Sequence, residues 1–310
     1  MYKEHRIVVV IPAHNEALHI GQVIQSMPEF VDQLIVIDDN SSDATREVAL
    51  ATKDPRLILA NTTQQEGVGG AVVLGYRKSA GLGDIIVKMD GDGQMAPESL
   101  PSLLDALTDQ GYDYAKGNRF LAGDSLAQMP KHRIFGNVAL TFMTKLASGY
   151  WNIFDPQNGY TAIKADVLRR LDLDQINKRY FFENDMLVQL NFSSFRVKDV
   201  AIPARYGEEK SGINLFQVSF TFPFLLLRRY FRRIYQKYVL RDFSPIALLL
   251  FLGLPLFLWG VFFGVFIWIK SYMTAHQTPT GTIMLALLPL ILGFQLLLQA
   301  FVMDIQETPK

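Results

Sequence analysis

The first part of the chain alternates short apolar runs with stretches of helical spacing. Arg6–Ile11 (RIVVVI), Gln33–Ile37 (QLIVI), Leu57–Ala60 and Ile85–Met89 are brief and rich in β-branched residues, the pattern of buried strands. Between them His14–Met27, Asp43–Lys53 and Val68–Ala80 place apolar residues three and four apart and predict helices. Asp113–Gly117 reads as a further strand. The order β-α-β-α-β-α-β implies parallel strands with right-handed crossovers, an open α/β sheet. Ligands in such sheets sit at the carboxyl ends of the strands. Three polar clusters fall there: Pro12-Ala13-His14-Asn15-Glu16, Asp38-Asp39-Asn40-Ser41-Ser42-Asp43 and Asp90-Gly91-Asp92-Gly93-Gln94.

The C-terminal third follows another pattern. Pro245–Ile269 and Thr282–Met303 contain no charged residue, and each is about the twenty residues that a membrane-crossing helix needs. A helix pair in a soluble core would keep a polar face, so two transmembrane helices are expected, with Pro255 and Pro289 tolerated inside them. Just before them, in Pro223–Arg241, Arg228, Arg229, Arg232, Arg233 and Lys237 fall on one helical stripe. Leu227, Tyr230, Phe231, Ile234, Tyr235 and Tyr238 fall on another. That segment predicts an interfacial helix, a helix docked on the domain, or both at once, with Pro223 at its first position and Thr221 as its cap. The expected division is an α/β domain at 1–213, a basic juxtamembrane helix at 214–243 and a two-helix hairpin at 244–310 with a short tail. Positive charge before the first span puts the α/β domain and both termini in the cytoplasm of an integral membrane protein.

Composition narrows the chemistry. Thirty Lys and Arg balance thirty Asp and Glu, so no overall basic excess points to nucleic acid. Cysteine is absent, which removes disulfides, thiolate nucleophiles and Cys-based zinc sites. The N-terminus MYKEHRIVVVIPAHNE does not read as a signal peptide. The triplets Asn61-Thr62-Thr63 and Asn191-Phe192-Ser193 fit N-glycosylation acceptors, but a cytoplasmic domain would never meet the modifying enzyme. No G-x-G-x-x-G follows the first strand, and no G-x-x-x-x-G-K-[ST] occurs. If the crevice holds phosphates, a divalent cation on paired carboxylates is the natural substitute for a glycine-rich loop. Asp-Gly is also a common turn dipeptide, so Asp90-Gly91-Asp92 alone does not decide between metal site and turn.

Taken together, VVVIPAHNE, IVIDDNSSDAT and MDGDGQ resemble the opening elements and the D-x-D element of family 2 inverting glycosyltransferases of the GT-A fold. The likeness runs from about residue 6 to residue 213 and is strongest toward polyprenyl- and dolichyl-phosphate glycosyltransferases. It implies a Rossmann-like nucleotide-diphospho-sugar transferase domain and metal-dependent transfer from a UDP- or GDP-linked sugar to a polyprenyl phosphate at the membrane. On the matching positions, Pro12, Ala13, Asn15, Glu16, Asp39 and Gly91 would line the donor pocket, with Asp39 on the base. Asp90, Asp92 and Gln94 would bind Mg²⁺ or Mn²⁺. For Asp38, Ser41 and Asp43 a local turn or helix cap is an equal alternative. Arg119, Arg133, Arg205, Lys210 and Ser211 match positions that hold acceptor phosphate, work for which the arginine fork is suited; for any one of them the alternative is a surface ion pair. Asp92, Asp185 and Arg205 are the expected catalytic residues, with Glu183 competing with Asp185 for the place of a general base. In the Asp155–Tyr160 loop, Gln157 and Asn158 are expected near the sugar and Gly159 in a tight turn. The resemblance leaves a homo-oligomer open. Two other readings remain: transfer to a hydroxyl acceptor such as a lipid-linked saccharide or diacylglycerol, and a non-catalytic nucleotide-sugar-binding membrane protein.

Overall fold

The computed structural model describes residues 1–121, 131–203 and 215–309, with side chains throughout except at 131–135 and 215–220. The chain forms two compact units, Met1–Arg229 and Tyr230–Thr308.

The first unit runs β1 (Ile7–Ala13), α1 (Ile20–Gln25), β2 (Gln33–Asp38), α2 (Thr45–Ala51), β3 (Leu57–Asn61), α3 (Val68–Lys78), β4 (Ile85–Lys88), α4 (Leu100–Thr108), β5 (Tyr114–Asn118), α5 (Lys131–Ser148), β6 (Thr161–Lys164), α6 (Ala165–Arg169), α7 (Phe182–Phe192) and β7 (Val197–Ala201). One seven-stranded sheet has the order β3-β2-β1-β4-β6-β5-β7. The four strands expected from the apolar runs are parallel. Beyond them the sheet is mixed, because β6 lies antiparallel between β4 and β5. Side chains of a strand alternate between faces: Ile7, Val9 and Ile11 join one buried cluster, Val8 and Val10 the other. Both faces of the sheet are thus covered, as a central parallel strand requires.

Helix α1 is shorter than the spacing of His14–Met27 predicts. Asn15 takes a left-handed backbone (φ 60). The Ser41 hydroxyl accepts the Asn15 amide at 2.9 Å, the Thr45 hydroxyl accepts that of Glu16 at 2.7 Å, and Asp43 accepts that of Ala17 at 3.1 Å. Bonds from side chain to backbone therefore hold 14–19 as a loop against its helical pattern.

Helix α8 (Leu215–Ile234) begins before Pro223, which lies inside it rather than at its first position. In the first unit Phe222 and Leu226 are buried, and Phe222 meets Phe181 edge-on at 5.1 Å. This packing overrides the break that proline favours. Phe224, Leu227 and Phe231 stay exposed along the same helix. The basic stripe is divided: Arg228 is exposed, whereas Arg229 pairs with Asp185 in the first unit and Arg233 pairs with Asp304 in the second. Each inward arginine has a buried carboxylate to meet, which spacing along one helix does not reveal.

In the second unit a π-helical turn, Tyr235–Arg241, leads to α9 (Pro245–Thr274) and α10 (Thr280–Gln306). Arg233 and Tyr238 converge on Asp304, with the guanidinium fork at 2.6 and 2.8 Å and the phenol at 2.6 Å. Gly260 faces the backbone of Leu290, and Gly293 that of Phe257, so the two helices touch through small residues. Both are long and apolar enough to cross a membrane, with mean hydropathy 2.5 and 2.2. Only 22% and 6% of their most apolar windows are buried, unlike core helices of a soluble domain.

Candidate active site

The chain reverses its order of laying down strands between β1 and β4, and at that switch point the carboxyl ends open a crevice. All three polar clusters lie there, at the ends of the adjacent strands β2, β1 and β4. Gly91 joins the third to the first: a Cβ on it would stand 3.2 Å from the Pro12 carbonyl oxygen and 3.4 Å from the Ala13 Cβ. The Asp39 amide donates to the Ala13 carbonyl at 2.8 Å, tying the second cluster to the first. Asn15 Oδ1 accepts the Ser42 amide at 2.8 Å, and Asp38 accepts that of Ser41 at 3.1 Å. Asp43 accepts the Thr45 amide at 3.0 Å. Asp38, Ser41 and Asp43 thus serve as turn and cap groups that shape the crevice wall.

Asp39 is buried and busy. One oxygen accepts from the Thr62 hydroxyl (2.8 Å) and the Glu66 amide (2.9 Å), the other from the Gly67 amide (2.7 Å). A carboxylate offers about four acceptor positions, so three are spent on holding the 62–67 loop. That loop is a further element of the crevice, which the sequence reading did not single out.

Asp90, Asp92 and Gln94 line one cleft with Arg119, Gln157, Asn158 and Gly159. Asp90 Oδ1 pairs with Lys88 at 2.6 Å, and Asp92 Oδ1 accepts the Gln94 amide at 2.9 Å. Among the described residues no group of three or more His, Cys, Asp or Glu side chains could hold a metal ion alone. Two carboxylates and an amide, all hard oxygen donors, fit a divalent ion that shares its coordination with phosphate oxygens. Arg119 lines the same cleft. Its fork grips the buried Asp155 at 2.8 and 3.0 Å, which fixes the guanidinium plane while the side chain stays 38% exposed.

Beneath the cleft lies a charged layer that the apolar strand runs concealed. Lys88 and Lys116 are both fully buried, and Lys116 donates to the Asn158 carbonyl. Glu183, in the first turn of α7, faces these lysines. Burial pushes its carboxyl up to about 7, against the pull of Lys88 and then Lys116. Burial likewise lowers the Lys116 ammonium, to about 8. A lysine inside a strand, two residues before Asp90 and so on its face of the sheet, was the signal available. Asp185 points elsewhere. Its two oxygens take the Arg229 fork at 2.6 and 2.9 Å, and one also accepts the Asn177 amide at 2.9 Å.

The expected acceptor-phosphate residues are divided by placement. Arg119 is at the cleft; Arg133 is in the first turn of α5, its side chain outside the described set. Arg205, Lys210 and Ser211 lie outside the described residues. Gly159 has no positive φ, so its need is space rather than a turn. A Cβ there would run into Lys88 Nζ and stand 3.1 Å from Asp90 Oδ2. Gly159→Ala is therefore expected to displace the Lys88–Asp90 pair and lower kcat about a hundredfold, read from turnover of a nucleotide sugar; a near-normal rate would refute this account of Gly159.

A mixed, doubly covered sheet with paired Asp residues at its switch point is a GT-A-like arrangement. Residues 8–172 match the Glycosyl transferase family 2 profile. The chain belongs to that family and is a glycosyltransferase. It is 33% identical over 215 residues to an undecaprenyl-phosphate mannosyltransferase of Micrococcus luteus, covering 67% of this chain and 86% of the relative. It is 32% identical over 218 residues to a polyprenol monophosphomannose synthase of Mycolicibacterium smegmatis, covering 67% and 80%. A UDP-N-acetylglucosamine–dolichyl-phosphate N-acetylglucosaminyltransferase of Methanococcus voltae is 28% identical over 218 residues, covering 65% and 86%. In fold, the chain is similar to glucosyl-3-phosphoglycerate synthase of Mycobacterium tuberculosis, solved with Mn²⁺, UDP and phosphoglyceric acid. The TM-score is 0.58 at 24% identity, over 73% of this chain and 79% of that one.

Proposed function

We propose that this glycosyltransferase moves a sugar, with inversion, from a nucleoside-diphosphate sugar to a polyprenyl phosphate, giving a polyprenyl-phosphate monosaccharide. The observation that carries this reading is the anion-binding character of the cleft, where Asp155 holds the Arg119 guanidinium in a lining shared with Asp90, Asp92 and Gln94. Among the described residues lining the cleft, the only carboxylates are Asp90 and Asp92, and none is histidine. A hydroxyl acceptor needs a general base, whereas a phosphate monoester has a second pKa of about 6 and arrives as an anion. Its oxygen attacks the anomeric carbon directly; the bond from that carbon to the donor phosphate breaks, and the nucleoside diphosphate departs with the electron pair.

Mg²⁺ or Mn²⁺ held by Asp90, Asp92 and Gln94 would supply Lewis-acid stabilisation of the departing diphosphate. The protein's own groups do the rest. Asp155 holds Arg119 so that its charge faces the cleft, where it offsets repulsion between two anions. Arg133, Arg205, Lys210 and Ser211 extend that role to the lipid phosphate, and the 12–16 loop with Asp39 and its 62–67 loop shape the nucleotide pocket. Asp185, committed to Arg229, positions rather than deprotonates. The relatives named for undecaprenyl, polyprenol and dolichyl phosphates support a lipid phosphate acceptor. The relative named for UDP-N-acetylglucosamine and those named for mannose leave sugar and base to experiment.

Helices α9 and α10 would span the membrane, the basic segment before them keeping the catalytic unit on the cytoplasmic side. The exposed Phe224, Leu227 and Phe231 of α8 suit a helix lying in the interface. The test is a screen of UDP- and GDP-sugars with the full chain in vesicles, with and without a short polyprenyl phosphate. Sugar transfer that requires the lipid phosphate is expected. Transfer only to a hydroxylated lipid would overturn the reading, and nucleotide-sugar binding without any turnover would mark a binding protein.

A further inference from the structure

Arg229 of α8 pairs with Asp185 in the catalytic unit, and the atoms it meets lead to the nucleotide side of the crevice. Its fork closes on Asp185 (2.6 and 2.9 Å), and the same arm donates to the Gln175 carbonyl at 3.3 Å. Asp185 also receives the Asn177 amide. Residues 175–178 are thus strapped at two points by one ion pair whose partners are 16% and 2% exposed.

The strap lies directly on the start of α3. The Gly70 amide donates to the Lys178 carbonyl at 2.9 Å, and a Cβ on Gly69 would collide with the Asn177 carbonyl oxygen. Lys178 Nζ reaches Glu66 at 3.0 Å. Glu66 and Gly67, whose φ of 85 suits only glycine, donate their amides to Asp39. Every link from α8 to Asp39 is a hydrogen bond, an ion pair or a backbone contact in one compact unit.

We propose that Arg229 is a positioning residue for donor binding: by docking α8 on Asp185 it orders the 175–178 strap, and through the strap the loop that Asp39 holds in the nucleotide pocket. The inference rests on the reading that this pocket takes the nucleotide. Neither Arg229 nor Asp185 touches a substrate. Their ion pair makes donor affinity depend on the seating of the helix that precedes the membrane hairpin. A strap tethered at 175 and 177 loses conformational freedom before the nucleotide arrives, and pre-ordered loops bind more tightly.

The experiment measures UDP and GDP binding, with Mn²⁺, to the full chain in detergent by calorimetry. It also follows amide exchange of residues 62–67 and 175–179 without nucleotide. Wild-type protein that binds neither nucleotide would sink the underlying reading of the pocket, while the exchange data still test the coupling. Arg229→Ala and Asp185→Asn are each expected to weaken nucleotide binding about tenfold. Arg229→Ala should raise KM for the nucleotide sugar while leaving kcat and KM for the lipid phosphate near normal. Amide exchange in both segments should quicken. Arg229→Lys should recover part of the affinity, whereas the swap Arg229→Asp with Asp185→Arg should recover little, because an acid at 229 cannot donate to the Gln175 carbonyl and a guanidinium at 185 cannot accept the Asn177 amide. Should Arg229→Ala fail to fold, Arg229→Lys carries the same exchange test. Unchanged exchange at 62–67, or a loss confined to lipid-phosphate kinetics, would overturn the proposal.

Discussion

Asp92→Ala is expected to lower sugar transfer about a thousandfold and to abolish the metal-dependent part of nucleotide binding, with the fold intact. Of the two cleft carboxylates, Asp92 isolates the chemistry better. It is half-buried on a loop, and in the fold it accepts the Gln94 amide at 2.9 Å, a turn bond worth about 1 kcal/mol. Asp90→Ala would in addition strip the buried Lys88 of its partner and mix stability with catalysis. The measurement is transfer rate together with calorimetry of nucleoside diphosphate, with and without Mn²⁺. A variant whose binding and turnover still rise with metal would remove Asp92 from the site.

The parts legible in the sequence are those that local patterning controls. RIVVVI, QLIVI and IIVKM are β-branched runs with one place to go, and they form the parallel half of the sheet within a residue or two of their predicted ends. Polar clusters after such runs mark a crevice, because chain direction puts every strand's carboxyl end on one edge. Strands β6 (TAIK) and β7 (VKDVA) escape the same reading, being short and carrying charges that tertiary pairing tolerates. Long-range side-chain pairing is the other hidden class. Nothing local to Arg229 announces Asp185, forty-four residues away in sequence. Nor does the alternation around Glu183 and Asp185 reveal that one faces the buried lysines and the other faces α8. Gly159 looked like a turn residue because glycine is read by conformation first, whereas here a neighbouring lysine fills the space.

Lys88→Met tests the buried layer and should be costly on two counts. Lys88 is 1% exposed, 2.6 Å from Asp90, and the strongest opposing charge felt by Glu183. Removing one partner of a fully buried pair costs about 3–5 kcal/mol; the cost here should fall below that, because Asp90 stays 27% exposed at the cleft and the buried Glu183 keeps Lys116 opposite it. Without Lys88 the Glu183 carboxyl, already raised by burial, should rise further. A carboxyl whose native pKa lies above its unfolded value binds a proton more tightly when folded, so stability falls as pH rises through that window. The melting deficit of Lys88→Met should therefore grow from pH 5 to pH 8 in metal-free protein. Glu183→Gln in the same background should recover most of it by removing the buried charge that Lys88 opposed, a non-additivity expected of groups in one network. Transfer should remain about a hundredfold down in the double variant, since Asp90 still lacks the ammonium that orients it. Equal deficits at both pH values, or no recovery with Glu183→Gln, would show that Lys88 and Glu183 do not share this layer's charge balance.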